Sequence, residues 1–93
     1  MAGLPLKDID AIVFVLFSIH DVMKAEFALK DEGMTYDVIP VPKELSSDCG
    51  MALLVESGDQ ERAREILASN NLKIKGAFLK TPDGYEELTN ERD

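Results

Sequence analysis

The sequence has no tryptophan, one cysteine and one histidine, and its eighteen acids outnumber its ten bases for a net charge of −8. Each shortage removes a class of function. A single cysteine cannot close a disulfide within the chain, so this is not a disulfide-stapled scaffold. One Cys and one His, without clustered ligand spacing, do not make a zinc site. The shortage of Lys and Arg argues against binding the nucleic-acid backbone and against docking on an anionic membrane surface. The longest apolar run, Ala11 to Phe17 (AIVFVLF), is far too short to span a bilayer. Asp8 and Asp10 precede it and no small-residue cleavage site follows, which sets it apart from a signal peptide. A cytoplasmic protein is expected. There is no glycine-rich phosphate loop and no nucleophile elbow. No cofactor or metal is expected.

What remains is enough for one small domain. The chain has 93 residues, 45% of them apolar. With only four Phe and two Tyr, aliphatic side chains must fill most of the core. The domain is expected over residues 1–80, with 81–93 as an acidic tail. That tail, TPDGYEELTNERD, holds five acids against one Arg and so carries half of the net charge.

The run at Ala11–Phe17 reads as a buried strand. Ser18 then offers a helix N-cap with Asp21 three residues on, and Phe17 and Val22 are spaced as a hydrophobic staple. A helix follows to Glu32, with Gly33 as its C′ residue. Thr35–Pro40 alternates as a second strand, which Pro40 and Pro42 demote to an edge or exit. The stretch from Val41 to Gly50 is a loop with room for one turn near Pro42. Met51–Glu56 is a third strand, apolar on both faces. Ser57 and Gln60 form a second capping box, opening a helix whose buried face carries Ala63, Ile66 and Leu67. Leu72–Lys80 alternates as a fourth strand, and the TPDG turn ends it.

The order β-α-β-β-α-β in so short a chain points to an α+β, ferredoxin-like two-layer sandwich. Four antiparallel strands, in spatial order fourth-first-third-second, would carry two helices on one face. Two consequences follow. The two central strands are apolar on both faces while helices cover only one, so a second subunit is expected on the other, making a homodimer. The loop between the second and third strands should also share an edge of the sheet with the start of the first helix. Cys49 would then lie near Ser18 and His20.

A thiol reacts as thiolate, and a helix N-terminus or nearby basic group favours that form. The layout offers the helix start, His20 in its first turn, Lys43 in the Cys49 loop, and the hydroxyls of Ser46 and Ser47. Asp48 works in the opposite sense. The bland alternative is a half-buried, inert Cys49 just before a strand, with His20 an ordinary exposed residue. Glu26 is a further oddity. It falls inside the apolar arc of Val22, Met23 and Leu29, so it is either at the edge of the helix–sheet contact or paired with a base.

Residues Phe17 to Glu56 include His20, the Lys24–Glu26 triplet KAE, the Ile39–Pro42 exit IPVP and the Leu45–Gly50 loop LSSDCG running into an apolar strand. This stretch resembles the small bacterial and archaeal family described as putative selenium/sulfur carrier-like proteins. The resemblance extends more loosely through LKIKGAF, to cover about residues 11–80. It implies a carrier role for Cys49, holding sulfur or selenium as a persulfide or selenosulfide between a donor protein and an acceptor protein. A carrier of this kind is closer to a delivery protein than to a true enzyme. Where members of that family commonly have a third serine this chain has Asp48, and where they often have Arg it has Lys43. Gly50 would give close backbone approach beside the thiol. Two other readings stay open: a dimeric interaction module in which Cys49 is structural, and a thiol redox sensor modified at Cys49.

Overall fold

The computed structural model describes residues 10–45 and 50–88. The elements run β1 (Ala11–Leu16), α1 (Ile19–Asp31), β2 (Asp37–Pro40), β3 (Met51–Glu56), a 3-10 turn (Ser57–Asp59), α2 (Gln60–Ser69), β4 (Ile74–Thr81) and β5 (Gly84–Glu87). The fold is α+β, with two helices and one five-stranded antiparallel sheet ordered β2-β3-β1-β4-β5. The first four strands follow the expected order. The expectation of four strands is corrected by β5: Thr81 pairs with Gly84 across Pro82–Asp83, so the turn that should end the sheet returns the chain into it. The Thr81 hydroxyl donates to the Gly84 carbonyl at 3.2 Å, and the Leu88 amide donates to the Ala77 carbonyl at 2.8 Å.

Both helices are bounded by local chemistry. The Ser18 side chain accepts from the Asp21 amide at 3.1 Å, satisfying one of the free N–H groups that every helix start presents. At the other end of α1, the Gly33 amide donates to Lys30 and the Met34 amide to Leu29, both at 3.0 Å. This is a Schellman closure, and Gly33 takes the left-handed conformation it requires, at φ 74°. The end of α2 repeats the device with Asn71 at φ 61°, the Asn71 amide bonding to Ala68 and the Leu72 amide to Leu67.

Two expected starts do not form as drawn. Ser57 lies in the 3-10 turn and α2 begins at Gln60 without a side-chain cap. Gln60 instead accepts from the Arg64 guanidinium at 3.1 and 3.2 Å, and that guanidinium stands 5.5 Å from the ring centre of buried Phe14. The Phe17–Val22 staple is also absent as a buried pair, because Val22 is in the core while Phe17 is 55% exposed.

The sheet divides the core in two. Ile12, Phe14, Leu16, Leu53 and Val55 face the helices and pack with Val22, Ala25 and Leu29 of α1 and Ala63, Ile66 and Leu67 of α2. Ala11, Val13, Val15, Ala52 and Leu54 point the other way, as the two-residue side-chain period of a strand requires. A second subunit is expected only if this second face is bare. It is not: none of those five side chains is more than 3% exposed within the single chain. Ile39, Val41, Leu45, Phe78 and Tyr85 pack against them. Gly76 makes room for one of these covers, since a Cβ there would meet the Phe78 ring at 2.9 Å.

Candidate functional site

The antiparallel register sets the site's frame. Val15 of β1 pairs with Ala52 of β3, and Pro40 of β2 pairs with Met51. One further step in register brings Met51 level with Leu16, whose chain turns through Phe17 and Ser18 into α1. The neck of the Cys49 loop and the start of α1 therefore share one edge of the sheet, as expected from topology.

The neck is closed by a hydrogen bond. Beyond the last β2–β3 pair, the Val41 amide donates to the Gly50 carbonyl at 3.0 Å. Gly50 is exposed and takes φ 77°, a left-handed conformation that favours glycine, although no atom stands within 4 Å of where a Cβ would be. What favours glycine at position 50 is therefore its backbone conformation. On the other side of the loop, the Leu45 amide donates to the Pro42 carbonyl at 3.0 Å, forming the single turn expected near Pro42. Lys43 and Glu44 occupy the tip of that turn and are exposed.

The loop leaves this edge on the face away from the helices. Val41 and Leu45 pack under the sheet with Val13, Val15 and Leu54. Glu44 reaches the β4–β5 hairpin, where it lines an open polar groove with Lys80, Thr81, Asp83 and Tyr85. Partial burial pushes the Tyr85 phenol up from its ordinary value, and the Glu44 charge adds to the effect. Sequence reasoning missed Val41, Leu45 and Tyr85 as parts of the loop's seat. Their only signal is apolar side chains in stretches otherwise rich in turn residues.

Of the expected supporting residues, Ser18 is committed to capping α1. His20 is exposed in the first turn of α1, and Lys43 is exposed at the loop tip. The structure brings the start of α1 and Gly50 to one edge, but sends Lys43 away along the opposite face. Cys49, Ser46, Ser47 and Asp48 lie outside the described residues. Glu26 takes the edge position of its two alternatives. It is half-buried at the helix edge, and it accepts a hydrogen bond from the Tyr36 hydroxyl at 3.0 Å rather than pairing with a base. Burial, that bond and the Glu26 charge together hold the Tyr36 phenol above its ordinary range.

Among the described residues, no group of three or more His, Cys, Asp or Glu is placed to hold a metal ion. No helix there is long and apolar enough to cross a membrane. Searches of curated proteins and of solved structures gave no match. A family model does match, over residues 11–79, from the first residue of β1 to Leu79 in β4, with the Cys49 loop inside it. On that match the chain belongs to the family described as "Putative Se/S carrier protein-like".

Proposed function

We propose that this protein carries sulfur or selenium on Cys49 and passes it from a donor protein to an acceptor protein. The observation that carries the reading is the family match, which spans the whole loop around the chain's one cysteine. The loop's frame supports it. Cys49 is joined to Gly50, an exposed residue at a sheet edge shared with a capped helix start, and partners can approach such an edge.

The chemistry is thiol–persulfide exchange. The Cys49 thiolate attacks the outer sulfur of a donor persulfide, a new S–S bond forms at Cys49, and the donor's inner sulfur leaves as thiolate. No net oxidation or reduction occurs. The acceptor's nucleophile then attacks the same outer sulfur and releases Cys49 as thiolate. A selenium cargo follows the same course through a selenosulfide. A single cysteine suits this role, because no resolving thiol in the chain competes for the loaded sulfur.

His20 and Gly50 are the supporting residues that the shared edge favours. Ser46 and Ser47 are proposed as hydrogen-bond donors to the anion. Lys43, on the far side of the turn, is the weakest of the set. Such an exchange needs free thiols, which places the protein in a reducing compartment such as the cytoplasm. We retain the ferredoxin-like description for the part from β1 to β4, with β5 as an addition. Loading by a cysteine desulfurase, followed by the intact mass of the protein, tests the reading.

A further inference from the structure

We propose that the outer face of α1 is a docking surface for an amphipathic helix of a different, basic protein. The Cys49 reading is not needed for this inference. Phe17, Ile19, Met23 and Phe27 are 55%, 48%, 56% and 74% exposed. They are the large apolar side chains left in solvent among the described residues, and all four fall on one short segment. At 100° per residue, Ile19, Met23 and Phe27 form a ridge at i, i+4 and i+8, which flanks the buried stripe of Val22, Ala25 and Leu29 on its solvent side. An i±4 ridge is the feature that one helix presents to the grooves of another, at a crossing of about −50°.

Area and charge choose the occupant. At about 200 Å² per large side chain, the four present roughly 450 Å² of apolar surface, the size of the largest patch on a typical monomer, which is often a functional one. A stable interface needs about 800 Å² from each partner. The ridge alone is therefore too small for a permanent homodimer and suits a partner that comes and goes. A second copy is disfavoured by charge as well, since it would bring another −8. Close to the ridge the charges balance, with Lys24 and Lys30 against Glu26 and Asp31. The long-range field is then that of the whole acidic chain, and it steers a cationic partner.

The experiment titrates the ¹⁵N-labelled full chain with a designed amphipathic helical peptide carrying leucines on one face and lysines on the other. An isomer with glutamates in place of the lysines serves as comparison. The expected result is saturable shifts in the amides of residues 17–27 with the basic peptide, and binding at least tenfold weaker with the acidic one. A Met23→Gln/Phe27→Gln variant should bind the basic peptide at least tenfold more weakly. Both side chains are exposed and Gln is a good helix former, so the variant should unfold at the wild-type temperature. Shifts scattered over other surfaces, equal binding by the two peptides, or undiminished binding by the variant would overturn the proposal. So would a sedimenting dimer that the same variant dissolves, which would make a second copy the occupant.

Discussion

The two faces of the sheet are buried equally well and by different means. Toward the helices, Phe14, Leu16 and Leu53 meet a periodic surface in which every third or fourth residue of α1 and α2 is apolar. Away from them, Val13, Val15 and Leu54 meet Val41 and Leu45 of a turn-rich loop and Phe78 and Tyr85 of the terminal hairpin. The helical cover is held by its own backbone ladder. The loop cover is held at its neck by the Val41–Gly50 bond and at its turn by the Leu45–Pro42 bond. Short covers of this kind open at lower free energy than packed helices. The described part of the loop that leads to Cys49, Val41 to Leu45, is thus part of the core's cover on one face.

Four substitutions probe that contrast, beginning with the most damaging. Phe14→Ala removes a fully buried ring from the helix face and the surface over which Arg64 sits. It should cost about 3–5 kcal/mol in urea unfolding; a loss below about 1 kcal/mol would mean that this face is not the main source of stability. Gly50→Ala meets no clash but forces a side chain into left-handed backbone, for about 1–2 kcal/mol. A neutral result there would show that the neck relaxes freely.

Leu45→Ala should cost about 1 kcal/mol, as expected for half-burying an aliphatic side chain. It should also speed hydrogen exchange at the Val41 and Leu45 amides and alkylation of Cys49, while amides of β1 keep their protection. Uniform loss of protection across both faces would abolish the distinction between them. Tyr36→Phe is the smallest, at about 0.5 kcal/mol for the loss of one part-buried side-chain hydrogen bond. Tyr36 has its pKa raised above the ordinary 10.0, by burial first and then by Glu26. A raised pKa gives stability that is complete below pH 10 and is lost as pH climbs through the folded value. The wild type should therefore lose stability more steeply above pH 10 than the Tyr36→Phe variant, and parallel curves would remove Tyr36 from the account. Tyr85, raised in the same direction, remains in both proteins and cancels in the comparison.

Much of the helix face is legible in the sequence because it is written in periods. The apolar runs of β1 and β3, the Ser18 cap and the Gly33 stop each rest on local chemistry that a few residues decide. Pro40 marks an edge strand for the same reason, since it has no amide to donate to a further strand. The loop face is not legible in that way. Val41 and Leu45 have no periodic partners, and only the folded chain shows that they pack on the cluster of Ala11, Val13, Val15, Ala52 and Leu54. The β5 strand is four residues with one large apolar side chain, Tyr85, after a turn that serves equally as an ending. Glu26 is visible as an oddity on the α1 face, but its partner Tyr36 lies ten residues on, in a separate segment that no helix or strand spacing links to it. At the candidate site, the sequence correctly brings the loop neck and the helix start to one edge. It does not reveal that the loop departs along the opposite face and carries Lys43 with it.

The most direct test of the central claim is sulfur loading at Cys49. The protein is incubated with a cysteine desulfurase and cysteine, and its intact mass is measured beside that of a Cys49→Ser variant. The account predicts that the wild type gains one sulfur atom, that a thiol reductant removes it, and that the variant gains none. No gain on the wild type, under conditions that load an established sulfur carrier, would contradict it.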